Sequence, residues 1–379
     1  MIFFLNYISY GQEIANIEKI EIESKILNQK RPILISTPAD YNENELVEFD
    51  VIYVFDSQHR ESFDLVHSSI NFMQKRRQFI VVGITSPEYP KEKYYRNNDM
   101  LPIPKNVSLK EYQVRENPNS SNFQRFVKEE VIPTIEKKFR ATQNKIAVGH
   151  SLSASFILST LISDEHLFNA YIAISPNFSY DKNRLANEVI NFNFEQLCYP
   201  KFLYISNANE ADYWNEWKIA RELVYRHLNE KNESNNKIVS IIEEYPTTDH
   251  WDVYLPSFIS GFEKYLSYSN ENPELLSEEF YDITIKVKVP NKDNEVYITG
   301  NQESLGNWNP EKIKLKKTSE FERKINLKIQ KPAQIQFTRG NWETKAYIKS
   351  TYEWQNIRID PSKKNTFEFE VVTWLDKLE

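Results

Sequence analysis

Short continuous apolar runs recur between longer helix-like stretches from about residue 17 to residue 268. The runs Ile17–Ser24, Arg31–Ser36, Val51–Phe55, Phe79–Ile84, Ile146–Val148, Tyr171–Ile174, Phe202–Ser206 and Ile238–Glu243 predict strands. Asn122–Phe139, Ala154–Ile162, Glu216–Leu228 and Leu255–Leu266 predict helices. In the third, Trp217, Ala220, Leu223, Val224 and Leu228 are expected to line one face. Buried strands alternating with helices imply an α/β fold with a mostly parallel sheet covered on both sides. The first two strands, joined by a short polar stretch, are expected to be antiparallel. Residues 269–279 are polar, contain Pro273 and read as a linker. Beyond it Asp282–Val289, Val296–Thr299, Lys312–Lys316, Glu322–Ile329, Gln334–Thr338 and Thr366–Val372 alternate with no convincing helix. The expected organisation is an α/β domain over 13–268 and a small antiparallel β-sandwich over 280–379.

Length and charge narrow the reading further. A chain of 379 residues exceeds one ordinary core, which agrees with two domains. The formal net charge is −7 and no basic stripe is present, so a nucleic acid is not an expected partner. One cysteine excludes an internal disulfide framework and a cysteine-rich metal site, and Cys198 is expected to be a small core residue before a strand. No run approaches the ~20 apolar residues of a membrane span. Residues 1–12 read either as the back half of a secretory signal lacking its positive region or as an N-terminal strand. The first implies a periplasmic or secreted protein, the second allows a cytoplasmic one.

The chemistry centres on Gly149-His150-Ser151-Leu152-Ser153, placed between the apolar run Ile146–Val148 and the helix-like run Ala154–Ile162. Strand, sharp turn and helix with serine at the apex lift a hydroxyl above the end of a sheet, where a histidine can reach it. Small neighbours are needed because the turn is tight, and Ser153 stands where glycine is usual. A serine hydroxyl becomes a nucleophile when a base takes its proton and an acid orients the base. Around such a turn the chain order is serine, acid, histidine. His59 and His67 precede the serine, His150 lies inside the turn, His166 is too near in sequence, and His227 falls in an amphipathic helix. His250 remains, in a loop between an apolar strand and the last helix. The acid is expected after Phe202–Ser206, where Glu210 and Asp212 both qualify; Glu210 is favoured. Two backbone N–H groups should hold the oxyanion, from Leu152 and from the loop Asp56-Ser57-Gln58, with Gln58 the expected donor.

With these residues Ser24–Pro38, Val51–Asp56, Phe79–Ile84, Arg96–Pro102, Phe126–Pro133, the serine turn and Ile174–Pro176 resemble, as a set, the putative-esterase family of α/β-hydrolases. That family includes feruloyl and acetylxylan esterases, S-formylglutathione hydrolase, mycolyltransferases and enterobactin esterases. The likeness is nearest to the siderophore-ester branch. The resemblance implies Ser151 as nucleophile and His250 as base, with no metal and no organic cofactor. Ser57 and Ser153 depart from the family's usual glycines. Val296–Gly300 and Glu303–Pro310, with their Leu-Gly-Asn-Trp turn, resemble the starch-binding domains of carbohydrate-binding module family 20. That likeness implies a sugar-stacking role for Trp308, with Trp342 or Trp354 as partner.

The function expected from all this is a serine carboxylic-ester hydrolase acting on acetyl or feruloyl esters of carbohydrates, with a polysaccharide as a partner. The alternatives are a siderophore-lactone or other small-ester hydrolase with a structural second domain, a non-catalytic glycan-binding protein, and acyl transfer to a sugar. The polar segment 86–121 is expected to cover the site.

Overall fold

The computed structural model describes residues 15–39, 41–73, 77–108, 118–212, 214–234, 237–351 and 356–377. The expected signal or strand at residues 1–12 and the candidate Trp354 lie outside the described residues.

The larger unit comprises Glu18–Ser36 and Glu48–Glu274. Its strands are β1 (Asn16–Ser24), β2 (Gln29–Thr37), β3 (Phe49–Val54), β4 (Phe79–Ile84), β5 (Ala141–His150), β6 (Ala170–Ile174), β7 (Lys201–Asn207) and β8 (Ile238–Glu244). They form one sheet in the order β1-β2-β4-β3-β5-β6-β7-β8. β2 runs antiparallel to β4. From β4 through β8 every pairing is parallel. Four residues join β1 to β2, too few for anything but a hairpin.

The helices are α1 (Arg60–Met73), α2 (Arg96–Met100), α3 (Ser120–Phe126), α4 (Ile132–Lys138), α5 (Leu152–Ser163), α6 (Tyr180–Asn191), α7 (Asn215–Ser234) and α8 (Tyr254–Glu271). A π-helical turn, Val127–Val131, joins α3 to α4 into one stretch. The helix expected over 122–139 is therefore bulged; α4 starts one residue before Pro133, which cannot donate into a regular ladder. β3, β4 and β6 are buried along their whole length, which is why they read as unbroken apolar runs. Ile52, Val54, Phe79, Val81, Ile146, Val148 and Ile172 share one core with Phe258, Phe262 and Tyr265 of α8.

Three expectations change. Leu223 is 41% exposed, while Trp217, Ala220, Val224 and Leu228 are buried. Four residues after Trp217, Arg221 occupies the buried face instead. Cys198 is exposed, because Phe194 and Leu197 fill the core before β7 and turn the next residue outward. α8 continues to Glu271, so the stretch expected as a linker from 269 begins inside a helix.

The smaller unit comprises residues 275–379 together with Thr37–Val47 from the connection between β2 and β3. Its strands are β9 (Tyr281–Lys288), β10 (Tyr297–Gly300), β11 (Ile313–Lys314), β12 (Lys316–Lys317), β13 (Glu322–Ile329), β14 (Ala333–Thr338), β15 (Ala346–Ile348), β16 (Ile357–Ile359) and β17 (Thr366–Trp374). They form a four-stranded sheet, β11-β10-β14-β16, and a five-stranded sheet, β12-β13-β9-β17-β15. Ile285, Val287, Ile298, Ile335, Phe337, Phe369 and Trp374 meet in the core between them. The expected antiparallel sandwich is found, with one parallel pairing, β17 beside β9. Leu46 packs against this core, and its N–H donates to the Ser350 carbonyl at 3.1 Å.

Candidate active site

β3, β5, β7 and β8 are parallel and end on one edge of the sheet, so the residues that follow them gather there. Asp56 to Gln58 follow β3, Ser151 follows β5, Glu210 follows β7 and His250 follows β8.

Ser151 has φ 56° and ψ −118°, a conformation that L-residues avoid, and it sits immediately before α5. Several bonds hold it there. The Ser151 N–H donates to the Ile174 carbonyl at 2.9 Å, and its own carbonyl accepts the Ser155 N–H at 3.1 Å. Gly149 has no room for a side chain: a Cβ would lie 2.6 Å from the Ser153 carbonyl oxygen. Ser153 is helical and needs no glycine. Its hydroxyl donates to the His150 carbonyl and accepts the His150 N–H, both at 2.9 Å, and closes the turn. Leu152 is the first residue of α5, so its N–H belongs to the unpaired first turn.

After β3 the left-handed residue is Asp56, with φ 62°, and not Ser57. Aspartate tolerates that region, which explains why glycine is dispensable at 57. The buried Ser57 hydroxyl donates to the Val54 carbonyl at 2.8 Å. The Asp56 carboxylate takes Arg96 in a fork at 2.7 and 2.6 Å and accepts the Gln58 amide at 3.0 Å. Burial opposes its charge, but Arg96, helped by Gln58 and Ser153, outweighs burial and holds the carboxyl below the usual carboxylate range. The Gln58 side-chain oxygen accepts the Ser86 N–H at 2.8 Å. Among the described residues, neither the Gln58 nor the Leu152 N–H is paired.

His250 and Glu210 are buried together. His250 Nδ1 lies 3.0 Å from Glu210 Oε1, and Arg221 Nη1 lies 3.3 Å from Glu210 Oε2. Burial works against the Glu210 charge, and several hydrogen bonds, led by that to His250, together outweigh it and hold the carboxyl below its ordinary value. Asp212, the other acid considered, is exposed. The loop around His250 is set by Asp249, whose Oδ1 accepts the Trp251 and Asp252 N–H groups at 2.8 and 2.9 Å.

Two residues of this cluster carried no functional signal in the sequence. Arg221 was legible only as the i+4 neighbour of Trp217 on the buried face of α7. His150 Nε2 lies 2.6 Å from the His250 carbonyl, and the two rings are 4.6 Å apart. Burial first, then the neighbouring His250, pulls the His150 ring down to about 4, so near neutrality it is uncharged. A carbonyl only accepts, so Nε2 carries the hydrogen and clips the His250 loop to the serine turn.

The segment expected to cover the site is fastened where it is described. Arg96 binds Asp56, and the buried pair Arg31–Asp99 ties α2 to β2 at 2.7 and 2.9 Å. Residues 109–117 of it lie outside the described residues. Glu165, His166 and Cys198 bring one metal-ligand atom each within 4.8 Å of one another, where the chain leads into β6 and β7. That is the opposite end of these strands from Ser151 and His250. In the smaller unit Trp308 is half-buried at φ 60°, in the loop after β10, with its N–H on the Gly300 carbonyl at 2.8 Å. Trp342 is 42% exposed past the end of β14.

A mostly parallel eight-stranded sheet carrying serine, acid and histidine after β5, β7 and β8 defines an α/β-hydrolase fold. The "Putative esterase" family model matches residues 24–259, more than half of the chain, and the chain belongs to that family of carboxylic ester hydrolases. A "Starch binding domain" model matches residues 281–339. Ferri-bacillibactin esterase BesA of Bacillus subtilis is 30% identical over 78 residues, which are 20% of this chain and 27% of that protein. An IroE-like serine hydrolase from Shewanella oneidensis superposes with a TM-score of 0.55 at 22% identity, over 66% of this chain and 79% of its own. The siderophore hydrolase EstA from Aspergillus nidulans gives 0.54 at 17% identity, over 67% and 95%. These two likenesses establish the fold. No described helix is long and apolar enough to cross a membrane.

Proposed function

We propose that this chain hydrolyses carboxylic esters through Ser151, His250 and Glu210. The observation that carries the reading is the buried Glu210–His250 pair on the same sheet edge as a serine in a strained turn. Ser151 Oγ attacks the ester carbonyl carbon as its proton passes to His250 Nε2. Glu210, on Nδ1, orients the ring and stabilises the imidazolium. The N–H groups of Leu152 and Gln58 receive the oxyanion, and their lack of other partners suits that task. The C–O bond to the alcohol breaks, and His250 returns the proton to the departing oxygen. Water then repeats the sequence on the acyl-enzyme and frees the acid.

The substrates are acyl esters of carbohydrates, acetyl or feruloyl, with a polysaccharide brought near by the second unit. The match to a starch-binding domain and the exposed Trp342 support this part. A siderophore lactone is the second reading, favoured by the likeness to ferri-bacillibactin esterase.

The test is hydrolysis of p-nitrophenyl acetate, methyl ferulate, acetylated xylan and a catecholate trilactone by wild type and Ser151→Ala. Wild type should turn over esters, and the alanine variant should lose at least about 10³-fold in kcat. Unchanged turnover in Ser151→Ala would sink the mechanism. The preferred ester among the four decides between the two substrate readings.

A further inference from the structure

We infer that Trp251 and Trp214 form a leaving-alcohol subsite that stacks the face of a ring carried by the alcohol half of the ester. The inference rests on the assignment of Ser151 and His250 above.

Trp251 is 75% exposed and Trp214 37% exposed. Exposed aromatic surface gathered beside a reactive group offers a face on which a ligand ring can be buried. The two indole rings lie 5.5 and 5.3 Å from the His250 ring, centroid to centroid. Each ring already has neighbours against it before any ligand arrives. Trp214 rests on the buried Trp217 at 4.7 Å with their planes 31° apart. The Trp251 backbone is held by Asp249, and its ring also meets His150 at 5.6 Å. A side chain with two torsions, already positioned, loses little freedom on binding.

The chemistry assigns the side of the ester. His250 delivers its proton to the departing alcohol oxygen, which must come within about 3 Å of Nε2. The acyl half stays at Ser151 and the oxyanion donors. Of the three indoles around the His250 ring, Trp217 at 5.6 Å is buried, which leaves exposed Trp251 and Trp214 as the ones an arriving alcohol can meet. A ring one or two bonds beyond that oxygen is the group an indole face would stack, at the 4.5–7 Å centroid separations of aromatic pairs. A pyranose and an aryl group both present such a face.

The test uses the full chain and acetyl esters that differ only in the alcohol: ethyl acetate, benzyl acetate and a 6-O-acetyl methyl glucoside. In Trp251→Ala and Trp214→Ala the ratio of kcat/KM for a ring alcohol to that for ethyl acetate should fall at least tenfold, with Trp251→Phe restoring most of it. A fall confined to the benzyl ester assigns an aryl alcohol, and one confined to the glucoside assigns a sugar. A ratio that does not move, or a loss that follows a ring on the acyl side in ethyl benzoate, overturns the subsite. Binding supplies a readout independent of turnover. In Ser151→Ala, saturation-transfer NMR should detect benzyl alcohol, which lacks the hydroxyls a sugar-binding unit reads, and the added Trp251→Ala change should weaken the signal at least tenfold. If no ester is turned over by wild type, the catalytic assignment fails while this binding arm still decides the subsite.

Discussion

Glu210 and Asp212 are two residues apart, yet their surroundings separate them completely. One is buried between His250 and Arg221, the other is exposed. Glu210→Gln should lower kcat by about 10³–10⁴-fold, because the imidazolium loses its counter-charge. Asp212→Asn should stay within about twofold. Steady-state kinetics on p-nitrophenyl acetate, with circular dichroism to verify folding, separates the two; equal losses would remove Glu210 from its role. At this scale the sequence carried the chain order of serine, acid and histidine, because that order follows from the topology. It could not carry the contacts made by Arg221 and His150. Both depend on which way a turn or helix faces in three dimensions, and neither spacing nor residue type encodes that. Ser57 shows the reverse: it looked like a poor substitute for glycine until the left-handed residue proved to be Asp56.

Between elements, β7, β8 and α8 are pinned through Glu243. Its Oε2 accepts from Tyr204 at 2.7 Å, Tyr245 at 3.0 Å and Ser260 at 2.7 Å, and Lys264 approaches Oε1 at 2.6 Å. Partial burial opposes the charge, but Lys264 and the three hydroxyls win and hold the carboxyl down to about 2. A depressed carboxyl stabilises the fold above its unfolded value, near 4.5, and loses that stabilisation as pH falls toward 2. Glu243→Gln should cost on the order of 2 kcal/mol near pH 7 and shrink the loss of stability between pH 4.5 and 2. Urea midpoints measured across that range check it; parallel pH curves for the two proteins would refute it. Strands were legible where they are buried on both faces, as in β4, whose apolar run coincides with the strand. α1, α2, α6, β15 and β16 were missed. In α6, Asp181 to Asn183 are in left-handed geometry and Ser179 makes no side-chain cap bond, while β15 and β16 are three residues each, too short to show alternation.

For the whole molecule, the segment Thr37–Val47 leaves the larger unit's sheet and joins the smaller unit. The apolar pattern could reveal that two units exist. It could not reveal that one of them borrows eleven residues from the other's connection, since a short polar loop gives no sign of where it packs. Deleting residues 275–379 should therefore deprive Leu46 of its core and its bond to Ser350, while β2 and β3 keep their ladders. Hydrogen exchange by mass spectrometry should show 37–47 losing protection at least about tenfold and the flanking strands unchanged. Equal protection in both proteins would show that the segment is ordered without its partners. The borrowed segment also imposes a schedule on synthesis. Leu46 and Ser350 are about 300 residues apart in the chain. At 5–20 residues per second the ribosome needs roughly 15–60 s to travel from one to the other. Throughout that interval the larger unit is emerging with one of its connections still waiting for its partner.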